Sequence, residues 1–214
     1  VTFKVKNMNL LSKLFPKILY ISLLHPLVRK RHIHMPLLVR YQHLHMLLLV
    51  FTFSFATSAA SQTCKADKPK DTPDSDFTVN NDGTVTHKTS GLMWKVCSEG
   101  QKWSAGTCTG EINTDTWKSA LQTPERLNAR GGYASYTDWR LPGVKELASI
   151  AELNCYEPAI NATIFPATAS SNYWSSTPNA YHEKHVWYLV FYHGNSYFGH
   201  RSEYYSVRLV RGEQ

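Results

Sequence analysis

The sequence predicts an α+β domain in which two short helices lie against an antiparallel sheet, and three observations carry that expectation. Asn80-Asn81-Asp82-Gly83 stands between two alternating runs, Phe77 to Val79 and Thr84 to Thr86, and an Asp-Gly in that setting is a strong hairpin signal. Helical spacing places Trp117, Ala120, Leu121 and Leu127 near one face, and Val144, Leu147, Ile150 and Ala151 mark a second, shorter helix. Near the C-terminus, residues 186–192 alternate, with Trp187, Leu189 and Phe191 expected toward the core and Val186, Tyr188, Val190 and Tyr192 on the other side.

Taken in order, residues 1–60 read as a leader. They carry eight Lys and Arg and no acidic residue, then an apolar run from Met46 to Ala56 and small residues at Ser58 and Ala60. That is a positive region, a hydrophobic region too short to span a bilayer, and a small-x-small cleavage site, so a signal peptide cut after Ala60 is expected, with an uncleaved anchor as the alternative. Met35 and Met46 are alternative starts, which would leave residues 1–34 untranslated. Residues 61–76 are polar, hold two prolines and show no apolar period, so they read as a flexible tether before a domain over residues 77–214.

Within that domain Gly91-Leu92-Met93-Trp94 leads to Cys97. The first helix should start at Thr116, divide or kink at Pro124 with Thr123 as a second cap, and stop at Gly131-Gly132. Residues 133–138 read as a loop, and residues 153–170 as irregular chain interrupted by Pro158 and Pro166. After the strand at 186–192, Gly194-Asn195 should turn the chain, and residues 205–211 should return as a second strand with Val207 and Leu209 buried and Arg208 outward. Residues 193–204 would then be a long polar loop between them, the kind of segment that carries binding residues.

Beyond the leader there are 15 basic and 16 acidic side chains, which excludes a nucleic-acid binder on charge grounds. All four cysteines follow the leader, and an even count in an exported chain favours two disulfides in one of three connectivities. The expected pairs are Cys97 with Cys108, closing a Ser/Gly/Thr-rich loop, and Cys64 with Cys155, tying the mature N-terminus down.

Taken together, Asp82-Gly83-Thr84-Val85-Thr86, Gly91-Leu92-Met93-Trp94, Asp138-Trp139-Arg140-Leu141-Pro142, Lys145-Glu146-Leu147, Pro158-Ala159-Ile160-Asn161, Tyr173-Trp174-Ser175-Ser176 and Val207-Arg208-Leu209-Val210-Arg211-Gly212 resemble the Lcl C-terminal domain family. The resemblance covers residues 64–214. It implies a C-type-lectin-like fold, distantly similar to formylglycine-generating enzymes, and an adhesin-like role in binding glycosaminoglycans. This chain has no collagen-like repeat and, past the leader, a net charge near zero. The enzyme relatives need a metal-linked cysteine pair near the C-terminus, whereas no cysteine follows Cys155, so no enzymatic activity is expected.

Residues 181–206 hold six of the twelve tyrosines and four of the ten histidines, the vocabulary of a recognition surface. The expected ligand-binding residues are Tyr181, His182, His185, Tyr188, Tyr192, His193, Asn195, Tyr197, His200, Arg201 and Arg208. Their rings would stack on sugar faces, while Asn195 and the arginines would give directional hydrogen bonds. His182-Glu183-Lys184-His185 and Glu157-Pro158 with Asn161 lack the spacing of zinc and calcium sites, so no metal or cofactor is expected. Arg140, beside Trp139, reads as a structural guanidinium. Residues 192–202 use Tyr, His, Gly, Asn, Ser, Phe and Arg alone, products that adenine-directed mutagenesis of asparagine codons can yield, which suggests a diversified loop. The partner is then a glycan or a surface protein, met by an exported chain with no membrane span after processing and an oligomeric state left open. If histidines take part, binding to an anionic glycan should strengthen between about pH 7 and pH 5.5.

Overall fold

The computed structural model of the chain describes residues 62–212, so the expected leader lies outside the described residues. In chain order the strands are β1 (Thr63–Cys64), β2 (Phe77–Val79), β3 (Thr84–His87), β4 (Met93–Lys95), β5 (Lys102–Ser104), β6 (Thr107–Thr109), β7 (Thr114–Asp115), β8 (Cys155–Tyr156), β9 (Asn172–Pro178), β10 (His185–Val190), β11 (Asn195–His200), β12 (Tyr205–Ser206) and β13 (Val210–Arg211). Two α-helices join them, α1 (Trp117–Ala129) and α2 (Val144–Ala148). The class is the α+β arrangement expected, mostly antiparallel, with a five-stranded sheet ordered β11-β10-β9-β12-β7 and a four-stranded sheet ordered β13-β4-β3-β2.

The hairpin β2–β3 forms where Asp82-Gly83 predicts it, because the Asp82 carboxylate accepts from the Thr84 amide at 2.9 Å and the Thr84 hydroxyl at 2.6 Å. Thr116 caps α1, and the Gly132 amide donates to the Leu127 carbonyl at 2.9 Å to close its far end. Pro124 does not divide the helix as expected. Its missing amide removes one hydrogen bond, while the ring is buried and the hydroxyl of Thr123 donates to the Ser119 carbonyl at 3.0 Å instead of starting a new turn. In α2 the Glu146 carboxylate reaches back to the Gly143 amide at 2.7 Å and takes a two-pronged hydrogen bond from Arg140 at 2.8 and 2.7 Å, so Arg140 is structural as read.

Two clusters make the core. One joins Phe77, Val85 and Trp94 of the smaller sheet to Leu147, Ile150, Phe165, Tyr173, Leu189 and Phe191. The other seats α1 through Ala120 on Trp139, Trp174, Val186, Val207 and Leu209. Trp94, Trp139 and Trp174 are buried core, while Trp103, Trp117 and Trp187 are half-buried. Both expected disulfides are present, Cys64–Cys155 and Cys97–Cys108.

The polar stretch read as a free tether is held along the domain from residue 62. β1 pairs with β8, the buried Glu152 carboxylate accepts from the amides of Asp71 and Thr72, and the Asn161 side-chain amide donates to the Thr72 carbonyl at 2.8 Å. Such a segment has no apolar period to betray it because its anchoring is done by backbone groups meeting polar side chains. A second correction concerns the last strands. Residues 205–211 do not return beside β10: Ser206 pairs with Tyr173 of β9 and with Thr114 of β7, and Val210 pairs with Trp94 of β4. Between these two sheets the chain has interior on both sides, so Val207, Arg208 and Leu209 are all buried and strand alternation fails there.

Candidate ligand-binding surface

The segment expected to be a loop is the strand β11. Residues 191–194 turn the chain, with Gly194 at φ +81°, and Val190 pairs with Asn195, Tyr188 with Tyr197, Trp187 with Phe198 and His185 with His200. A Cβ at Gly194 would lie 2.6 Å from the Leu153 side chain in a backbone conformation that disfavours L residues, so this turn depends on glycine. The sequence hid the strand because β11 is an edge, half-exposed on both faces, and its alternation therefore has no apolar side.

Alternation also differs on β10. Val186 pairs with Pro178 and Tyr188 with Trp174, so β9 carries extra residues between these pairs and bulges. At the bulge the Ser175 hydroxyl donates to the Trp187 carbonyl at 2.6 Å. Val186 and Leu189 are both buried as a result, and Trp187 is turned against the exposed Phe198, at 5.6 Å between ring centroids, instead of into the core.

The hairpin β10–β11 divides the expected binding residues between its two faces. One face carries His185 and His200, 5.7 Å apart by centroid, and His182, which stacks on Phe198 at 5.7 Å. The other face carries a continuous run of rings. Tyr192 meets His193 at 6.0 Å, His193 meets Tyr197 at 5.7 Å, Tyr197 meets Tyr188 at 6.3 Å and Tyr188 meets Tyr205 at 4.6 Å, with Asn195 exposed at the start of the strand. Gly199 lies under this run. A Cβ there would sit 3.0 Å from both the Tyr188 ring and the Tyr205 hydroxyl, so the missing side chain lets the two rings lie on the strand.

Three expected residues are placed apart from either face's rings. Tyr181 is 91 % exposed in a turn whose amides are held by Asn179. Arg201 is half-buried with its guanidinium 4.6 Å over the Trp117 ring. Arg208 was expected to point outward and is fully buried instead. Its guanidinium donates to the carbonyls of Lys95 and Val96 and to the hydroxyls of Ser98 and Thr168, and lies 4.9 Å from the Phe165 ring centroid, so it cannot touch a ligand. Burial holds its pKa below the ordinary arginine value, with Tyr173 acting in the opposite sense.

The rings that sequence reasoning left out are Phe198, Tyr204 and Tyr205. The first was legible only as the cross-strand partner of Trp187, and the others only once β12 is known to lie inside the sheet. The hydrogen bond from Tyr192 to the Glu157 carboxylate, and then that group's charge, push the Tyr192 phenol up, while burial and then Tyr188 push Tyr205 up to about 12. Both phenols therefore stay neutral donors at physiological pH. Concavities open on the domain outside the hairpin: about 470 Å³ between the start of α2 and the end of β9, about 300 Å³ lined by Glu99, Asp115, Arg126 and Arg130, and about 230 Å³ beside Tyr205. Among the described residues no group of three metal-ligating side chains forms.

A model of the Lcl C-terminal domain family matches residues 83–211, a span that runs from the β2–β3 turn to the last strand and includes the whole hairpin. No curated protein matches the chain. With more than half of its length matched, and with the motifs from Gly83 to Arg211 placed in one α+β domain, the chain belongs to the Lcl C-terminal domain family.

Proposed function

We propose that this chain is an exported, adhesin-like module with a C-type-lectin-like domain, without enzymatic activity, that binds a surface glycan on the aromatic face of the hairpin β10–β11. Family membership and two disulfides support an extracellular role. The observation that carries the ligand class is the run Tyr192, His193, Tyr197, Tyr188 and Tyr205, in which the exposed rings of Tyr192 and Tyr197 continue through the half-buried rings of His193, Tyr188 and Tyr205 from the hairpin onto β12. Stiff amphipathic rings bury the apolar faces of pyranose units at small entropic cost.

The test is a glycan and glycosaminoglycan array probed with the full chain and two variants. Replacing Tyr192, His193 and Tyr197 by alanine should abolish binding, while replacing His182, Phe198 and His200 on the opposite face should leave most of it. Binding that follows the histidine face, or no glycan binding at all, overturns the reading. A protein-binding role has one observation in its favour, the open edge of β11, along which an extended peptide could add as a further strand. It would show as capture of an envelope protein that the edge substitution Ser196→Pro abolishes.

A further inference from the structure

The run of rings ends at Tyr205, and Tyr205 also forms a wall of the 230 Å³ cavity lined by Thr114, Ser171, Asn172, Tyr204, Tyr205 and Ser206. These come from the ends of three neighbouring strands, β7, β9 and β12, where Ser206 pairs with both Thr114 and Tyr173. The volume is below the roughly 300–1,000 Å³ that takes a drug-sized ligand, so it suits a single ring and not a chain of them. Two of its six lining residues are aromatic, with Tyr204 67 % exposed at the rim and the Tyr205 ring tilted against Trp174 at 4.3 Å between centroids. The rest of the lining is hydroxyl and amide. The Ser171 and Ser206 hydroxyls, 3.1 Å apart, bond to each other and keep further donor and acceptor capacity.

No lysine, arginine, histidine or carboxylate is among these lining residues. The Glu203 charge helps, after burial and Tyr188, to keep the Tyr205 phenol protonated. Arg201, three residues before Tyr204, is committed to the Trp117 ring. A sulfate or uronate entering this cavity would give up part of its hydration with no cation in the lining to pair with, which disfavours it. A neutral pyranose meets none of that cost, and its apolar face and hydroxyl rim match the tyrosine wall and polar lining.

Resting on the glycan reading above, we propose that this cavity is a subsite for one neutral sugar residue, a hexose or N-acetylhexosamine, whose attached chain runs out along Tyr188, Tyr197, His193 and Tyr192. The module thereby selects neutral over anionic glycans, against what the family resemblance implies.

The experiment is saturation-transfer NMR on the full chain with the methyl glycosides of glucose, galactose, mannose and N-acetylglucosamine, compared with glucuronic acid and N-acetylglucosamine 6-sulfate. The variants are Tyr204→Ala, at an exposed position, and Thr114→Phe, which fills the cavity from an exposed edge strand; near-UV circular dichroism confirms that both keep the fold. At least one neutral glycoside should bind, with the anionic sugars at least tenfold weaker. Tyr204→Ala should weaken binding at least fivefold, and Thr114→Phe should abolish it. No transfer to any neutral probe, equal or tighter binding of the anionic ones, or unchanged binding in both folded variants overturns the proposal. If both variants keep wild-type array binding while the Tyr192/His193/Tyr197 variant loses it, the hairpin reading stands and the subsite falls. An array with no glycan bound sinks the hairpin reading itself.

Discussion

Replacing Glu152 by glutamine should release the N-terminal segment from the domain. The buried carboxylate is fully used: Oε1 accepts from the Asp71 amide at 3.1 Å and the Asn154 amide at 3.2 Å, and Oε2 accepts from the Thr72 amide at 2.9 Å and the Thr72 hydroxyl at 3.1 Å. Glutamine has the same shape but one accepting oxygen. Its cheaper orientation puts the NH2 at the Oε2 place, where the Thr72 hydroxyl can rotate to accept and the Thr72 amide alone is orphaned. The other orientation orphans two amides. One buried orphan donor costs about 1–3 kcal/mol, and the lost charge assistance adds to it, so about 2–3 kcal/mol is expected. For a domain of this size that lowers the Tm by roughly 5–10 °C. Hydrogen exchange should also show lost protection at Asp71 and Thr72, while the Cys64–Cys155 bridge still tethers the segment. The same anchor gives a pH dependence. Burial works to raise the Glu152 carboxyl, but the amides of Thr72, Asp71 and Asn154 outweigh it and the folded pKa lies below the ordinary 4.5. Because the folded value is the lower one, the stabilisation is complete above about pH 4.5 and is lost as pH falls through the folded value. An E152Q protein with an unchanged Tm, unchanged exchange at residues 71 and 72 and the same acid midpoint as the parent would refute this account.

Three further outcomes follow from the packing. Arg208→Ala removes a guanidinium that fills the space between Phe165, Tyr173 and the Lys95–Val96 carbonyls, and with those acceptors left dry it should cost about 3–5 kcal/mol, read as a large drop in the urea midpoint. Gly199→Val forces a branched side chain to within 3.0 Å of Tyr188 and Tyr205, so overpacking should cost about 1–3 kcal/mol by chemical denaturation and weaken glycan binding together. The double variant Cys97→Ser/Cys108→Ser opens a loop of sequence separation 11 and should lose about 3 kcal/mol of stability on the chain-entropy account, read as a lower urea midpoint, with hydrogen exchange showing the largest further loss of protection in β5, β6 and the end of β4.

Local chemistry made much of this molecule legible without coordinates. Asp82 and Gly83 specify their hairpin through contacts two residues away, Thr116 and Gly131-Gly132 bound a helix by their own backbone preferences, and the four cysteines had few ways to pair. Arg140 was readable as structural from its place beside Trp139, and the carboxylate it grips, Glu146, lies only six residues on. What the tertiary structure alone decided has a shared physical cause: the deciding neighbour is far off in the chain. Polar residues 71 and 72 are held by a carboxylate about eighty positions later, and Pro124 stays in its helix because its ring is buried. Residues 195–200 became a strand because β10 offered an edge, which turned one expected loop into two faces and separated His182, His185 and His200 from Tyr192, His193 and Tyr197. Arg208 went inward because the chain there passes between two sheets, where both sides of an extended segment are interior and alternation no longer tells inside from outside.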